Sequence, residues 1–166
     1  MDKVWQLFEV PLKKCQKEQF MAFYELLLET NQELNLTAIT EKKEVYIKHF
    51  WDSLSISRAI DLMQMESVMD VGTGAGFPGI PLKIAFPHLQ VCLLDSLRKR
   101  VQFLEKVCQH LQLQGVTCIH GRAEDIARQP MYREHFDLVT ARAVAKLNVL
   151  AEYCLPFAKV GGMFLA

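Results

Sequence analysis

The sequence predicts a doubly wound α/β domain behind a helical cap, and three observations predict it. From Ser67 onward, short apolar runs alternate with helical stretches; before Ser67 the pattern is helical with no strand signal; and the first apolar run ends in a glycine-rich turn. Apolar residues at helical spacing mark one face of a helix, whereas short continuous apolar runs between turns mark buried strands. Strands alternating with helices imply βαβ units, hence a parallel sheet wound right-handedly.

In chain order, Phe20, Phe23, Tyr24, Leu27 and Leu28 give one apolar stripe and a first long helix. Asn31 to Thr40 breaks that pattern. A further helix is expected after Thr40, a plausible N-cap with Glu41 in the first turn, running through Ile47, Phe50, Trp51 and Leu54. Val68–Val71, Gln90–Asp95, Val116–His120 and Phe136–Ala141 read as strands, and a fifth opens at Met163. Between them Leu97–Leu111 is the clearest helix, with Val101, Leu104, Val107, Cys108 and Leu111 on one face. Residues 1–62 are therefore read as the cap and 63–166 as the α/β core. The sequence stops at Gly161-Gly162-Met163-Phe164-Leu165-Ala166 as the fifth strand begins. A bare terminal strand leaves an unpaired sheet edge, so a fragment lacking its C-terminal strands is expected.

Composition narrows the function classes. The 166 residues are 51% hydrophobic, enough for a substantial core, and carry a formal net charge of zero. Neutrality argues against binding nucleic acid through phosphate contacts alone, but it allows a local basic patch. No apolar run approaches the ~18 residues that span a bilayer, and the first residues lack a secretory layout, so a cytosolic protein is expected. Cys15, Cys92, Cys108, Cys118 and Cys154 contain no Cys-x-x-Cys pair and read as reduced thiols; the five histidines show no ligand spacing, and no metal is expected.

The strongest chemical signal is Asp70-Val71-Gly72-Thr73-Gly74-Ala75-Gly76-Phe77-Pro78-Gly79, directly after the first strand. Glycines let the backbone turn sharply and approach a ligand, and in an open parallel sheet this turn lies at the carboxyl edge where ligands bind. The segment from Gly74 to Gly79 formally matches a dinucleotide loop, G-x-G-x-x-G. The glycines begin at Gly72, however, two positions after an acid, and Asp-x-Gly-x-Gly-x-Gly resembles the first motif of S-adenosylmethionine methyltransferases. A P-loop is excluded because no Gly-Lys-Ser/Thr follows. Asp95 ends the second strand nineteen residues after Gly76. A carboxylate there can accept both hydroxyls of a ribose, a demand common to NAD and S-adenosylmethionine, so spacing leaves both open. Arg122-Ala123-Glu124-Asp125 follows the third strand, where it can border an adenine. No cysteine sits where carbon-5 pyrimidine methylation needs its nucleophile, and the turn after the fourth strand reads Thr140-Ala141-Arg142-Ala143-Val144-Ala145 rather than the Asn/Asp-Pro-Pro-Tyr of amino methyltransferases.

Taken in order, Leu34-Asn35-Leu36-Thr37-Ala38-Ile39, His49-Phe50-Trp51-Asp52-Ser53-Leu54, Asp70 through Leu82, Leu94-Asp95-Ser96, Lys99-Arg100, Phe103-Leu104, Arg122-Ala123-Glu124 and Thr140–Ala145 resemble the small-subunit ribosomal RNA guanine-N7 methyltransferase family (GidB). The resemblance implies a Rossmann-like fold, S-adenosyl-L-methionine as cofactor, and the 16S ribosomal RNA or the 30S subunit, assembling or assembled, as partner. It implies cofactor contacts at Gly72, Phe77, Ala123, Glu124 and Arg142, to which the loop reading adds Gly74 and Gly76 and the strand-end reading Asp95. Guanine N7 needs no general base, so no catalytic side chain is named; Arg142 is the candidate orienting residue. Lys99, Arg100 and Lys146, with Arg98 and Lys106 nearby, are the candidate RNA contacts, and a monomer is expected. An NAD-dependent oxidoreductase and a non-catalytic cofactor-binding module are the rival readings. The first would need a proton donor that the sequence does not offer.

Overall fold

The structure is a computed structural model and describes residues 2–142 and 145–166. The expected alternation is present: β1 (Ser67–Val71), α5 (Gly79–Ala85), β2 (Gln90–Asp95), α6 (Arg98–His110), β3 (Val116–His120), α7 (Ala123–Ile126), β4 (Phe136–Thr140), α8 (Leu147–Cys154) and β5 (Ala158–Leu165). Ahead of it lie α1 (Asp2–Trp5), α2 (Lys14–Leu34), α3 (Lys42–Val45) and α4 (Asp52–Leu54), with a π-helical turn at Tyr46–Trp51 joining the last two. The sheet order is β3-β2-β1-β4-β5, and every pairing is parallel. The order reverses between β1 and β4, which opens a crevice at the carboxyl ends of the strands.

Both faces of the sheet are covered, as near-continuous apolar strands require. On one face the cap, α5 and α6 share a core with Val68, Val91, Leu93 and Leu138; on the other, Met69, Val71, Leu94 and Val139 pack with Leu150, Cys154 and Phe157. Phe20, Phe23 and Phe50 are fully buried, each stabilising the fold by roughly 1.5–3 kcal/mol. The cap is also pinned by polar contacts: the Gln16 amide donates to the carbonyls of Ile84 (2.8 Å) and Ala85 (3.1 Å), the orphan acceptors at the end of α5. Gln19 donates to the Leu111 carbonyl beyond α6. Among the described residues, no helix is long and apolar enough to cross a membrane.

Three local expectations shift. Glu41, not Thr40, caps the helix that follows, its carboxylate accepting the Glu44 N–H at 2.9 Å. That helix is not regular: the Asp52 N–H reaches back to the Ile47 carbonyl, and the Ser53 hydroxyl donates to the His49 carbonyl. Such hydroxyl back-bonding competes with the helical ladder. The fifth strand begins at Ala158 rather than Met163, because Gly161 takes a positive φ and the chain still pairs with β4 on both sides of it, across a shift in register.

Candidate cofactor cleft

The glycine loop is built from beneath by Asp70. This carboxylate is fully buried at the end of β1; its Oδ2 accepts the Thr73 hydroxyl (2.7 Å) and the Gly79 N–H (2.8 Å), and its Oδ1 faces the Thr140 hydroxyl at 3.4 Å. Burial pushes its pKa up to about 6, against the pull of those donors. The Thr73 N–H donates to the Leu94 carbonyl and ties the loop to β2. Two glycines show opposite demands. A Cβ at Gly79 would lie 2.3 Å from Leu93 and 2.9 Å from the Asp70 carboxylate, so packing excludes a side chain there. Gly74, at φ +61°, has open space where a Cβ would stand.

That open space is a two-lobed cleft. The smaller lobe, about 190 Å³, is walled by Val71, Leu94, Ala123, Glu124 and Tyr153; the larger, about 360 Å³, by Thr37, His49, Thr73–Ala75, Phe77, Arg100 and Arg142. Gly72, Asp95 and Ser96 line both. Asp95 stands at the junction with 3% of its surface exposed; Oδ2 accepts the Gly74 N–H and Oδ1 the Leu97 N–H, both at 2.9 Å, with Arg100 Nη1 3.7 Å away. Each oxygen keeps a second lone pair, so this carboxylate fastens the loop to α6 and retains acceptor capacity toward the cleft.

Arg142 reaches the larger lobe from the turn after β4. Its Nη1 donates to Asp52 Oδ2 (2.7 Å) and its Nη2 to His49 Nδ1 (3.2 Å). Arginine can only donate, so the His49 proton belongs on Nε2, which lies 2.9 Å from the Thr37 hydroxyl. The His49 ring stacks on Phe77 at 4.5 Å with the planes 10° apart, and the Arg142 guanidinium lies 5.7 Å from the same ring. Burial, then Arg142, push His49 down to about 4, so it is neutral at physiological pH. Phe77 therefore serves two regions: its ring also meets Phe23 at 5.4 Å and Phe50 at 6.0 Å in the cap core.

The structure thus gathers Gly72, Gly74, Phe77, Asp95, Ala123, Glu124 and Arg142 around one cleft. Gly76 is turned elsewhere; its Cβ would meet Ile80 at 2.5 Å and Leu104 at 3.1 Å, so it serves the packing of the loop on α5 and α6. Glu124 sits in the first turn of α7, where its own N–H and then Arg122, 3.4 Å away, hold its carboxyl below the usual range. Arg100 is at the cleft, whereas Lys99 and Lys106 line a separate groove between α2 and α6. Lys146 is exposed at the N-cap of α8. Ala143 and Val144, part of the motif around Arg142, lie outside the described residues. Thr37, His49, Asp52 and Tyr153 were not singled out by their sequence context for any role. Thr37, His49 and Asp52 do fall within the two cap motifs that carry the family resemblance, Leu34–Ile39 and His49–Leu54, which was the available signal for them.

The doubly wound fold is shared with an O-methyltransferase from Bacillus cereus, solved in complex with SAH, which superposes with a TM-score of 0.62 over 83% of this chain and 62% of its own, at 19% identity. That likeness fixes the fold class. The chain belongs to the GidB family, rRNA small subunit methyltransferase G, whose model matches residues 16–166. A ribosomal RNA small subunit methyltransferase G from Exiguobacterium is 56% identical over 93% of this chain and 65% of its own length, and one from Bacillus subtilis 52% identical over 95% and 66%. The chain spans about two-thirds of the length of the relatives it matches.

Proposed function

We propose that this chain is the cofactor-binding part of an S-adenosylmethionine-dependent methyltransferase that modifies N7 of a guanine in small-subunit ribosomal RNA. The observation that carries the reading is Gly74. It lines the larger lobe with open space where a Cβ would stand, and its N–H is held by the Asp95 carboxylate that lines both lobes. A nucleoside with a charged amino-acid tail suits such a site. The slot of Leu94, Ala123 and Tyr153 fits an adenine, Asp95 at the junction fits ribose hydroxyls, and the polar lobe around Thr73–Ala75 fits the methionine end. When bound, the cofactor supplies an electrophilic methyl group.

The chain's own residues would bind and orient. Guanine N7 offers a lone pair and carries no proton, so the reaction needs no general base. His49, with Nδ1 occupied by Arg142 and its proton turned to Thr37, is not required as one. Rate enhancement then rests on holding N7 in line with the methyl carbon and on fixed dipoles around the developing charge. Arg142 orients cofactor or RNA phosphate, and Arg100 at the cleft rim favours incoming phosphate; Lys99 and Lys146 extend the basic surface on either side. The partner is the small-subunit ribosomal RNA, naked or within the 30S subunit.

The test is to map N7-methylguanine in small-subunit ribosomal RNA from cells with and without the gene, and to follow labelled methyl transfer by the full-length protein to 30S subunits. One guanine should lose its N7 methyl group when the gene is removed. Transfer to another atom, or an unchanged modification map, would overturn the assignment.

A further inference from the structure

We infer that Asp52, projecting from the irregular helix of the cap, is the counter-charge that makes the larger lobe tolerant of a sulfonium cation. The inference rests on the reading of the cleft as an S-adenosylmethionine site. The arginines lining the two lobes, among the described residues, are Arg100, Arg122 and Arg142. Each faces a carboxylate: Asp95 at 3.7 Å, Glu124 at 3.4 Å and Asp52 at 2.7 Å respectively. Asp95 and Glu124 are themselves cleft residues, but Asp52 lines a neighbouring pocket that shares Arg142 with the larger lobe. It comes from an element ninety residues earlier in the chain.

Stability alone is a weak reason for such a pair. The Asp52 side chain is 51% exposed and that of Arg142 32%, and exposed ion pairs contribute little. Nor is Asp52 alone in holding the guanidinium in place, since His49 accepts from Nη2 and is itself braced by Thr37 and Phe77. What Asp52 adds is a negative charge. A lone guanidinium facing the lobe would repel the sulfonium and the cationic purine product alike; a guanidinium paired with Asp52 keeps its fork of donors while its field is largely cancelled. His49 adds no charge, because it is neutral at physiological pH. Asp52 is therefore a positioning and charge-balancing residue that acts through Arg142.

S-adenosylmethionine and S-adenosylhomocysteine provide the test, because they share every recognition group except the charged sulfur and its methyl. Calorimetric titration of the full-length protein with each ligand yields the ratio of their affinities. Asp52→Asn, which keeps an oxygen acceptor and removes the charge, should weaken S-adenosylmethionine about three- to tenfold more than S-adenosylhomocysteine. The difference should shrink as salt rises from roughly 50 to 500 mM. Arg142→Gln should move the ratio the other way, and the double variant should return it to within about twofold of the parent. Equal losses for both ligands in Asp52→Asn would overturn the inference and leave Asp52 a structural contact. A ratio that Arg142→Gln does not move would overturn it as well. If the unaltered protein binds neither ligand, the cofactor reading itself fails, and the inference falls with it.

Discussion

The two ends of the same sheet handle carboxylates in opposite ways. At the amino end, Asp137 of β4 accepts the N–H groups of Glu66 and Ser67 at 2.9 Å and the Ser67 hydroxyl at 3.1 Å; its own N–H donates back to that hydroxyl oxygen, and Lys159 closes the group as an ion pair. Burial alone would raise its pKa, but Lys159 and the backbone donors carry it down to about 2. At the carboxyl end, Asp70 is sealed under the glycine loop and held near 6, while Asp95 is half committed to the loop and half available to the cleft. The amino end uses its charge to join strands. The carboxyl end uses two charges to hold a loop open, one from below and one from the rim. A carboxylate at a strand end is thus not informative by type; what separates the roles is whether its donors exhaust it.

This contrast can be broken most forcefully at Asp137. Asp137→Ala leaves two backbone N–H groups and a lysine unpaired, and should cost roughly 3 kcal/mol of stability, measured by urea denaturation, with cofactor affinity unchanged in the folded protein. A loss under about 0.5 kcal/mol would show that the amino-edge cluster is ornamental. Next comes Asp95→Ala. It should weaken S-adenosylmethionine by about 2 kcal/mol, some thirtyfold in Kd, with a smaller loss of stability. If calorimetry finds less than tenfold while thermal stability falls, Asp95 is merely a helix-start acid.

The third test is of pH dependence. The folded pKa of Asp70 lies near 6, above the unfolded value of about 3.9. Its contribution to stability is therefore fully present below about pH 4 and is lost as pH rises through about 6. The loss is on the order of 3 kcal/mol, and Asp70→Asn should abolish it. His49 acts with the opposite sign: its pKa is lowered to about 4, so its contribution is lost as pH falls from about 6.5 through 4 and partly masks Asp70 in the parent. Stability profiles of parent and Asp70→Asn that run parallel between pH 4 and 6 would remove Asp70 from this account.

The elements of the α/β core were legible because periodicity and turn glycines are local properties. Strand β2 and the loop from Gly72 to Gly79 could be placed from neighbouring residues alone, and Asp95 followed from its place at a strand end. The contacts around Arg142 at the larger lobe were not legible, since His49 and Asp52 meet it only through tertiary packing across some ninety residues, and Thr37 joins them through His49. Gly76 and Gly74 look alike in sequence, two apart in one motif, yet one faces Ile80 and the other open space. Only the twist of the loop separates them. The π turn was equally hidden: apolar spacing in Tyr46–Trp51 is compatible with a regular helix, and the departure depends on hydroxyl and backbone bonds that no period encodes.

The shared aromatic core of cap and sheet also sets an order of events at the ribosome. By the time Leu54 is synthesised, the chain carries Trp5, Phe8, Phe20, Phe23, Tyr46 and Phe50, which can gather among themselves. Their outer cover, Phe77 with α5 and α6, is complete only when His110 has been added. At about 5–20 residues per second, that is a wait of roughly 3 to 10 seconds. For that interval the nascent protein displays a sticky aromatic face and two dangling amides, Gln16 and Gln19, whose acceptors do not yet exist. Delays in translation between residues 54 and 110 would lengthen this exposure.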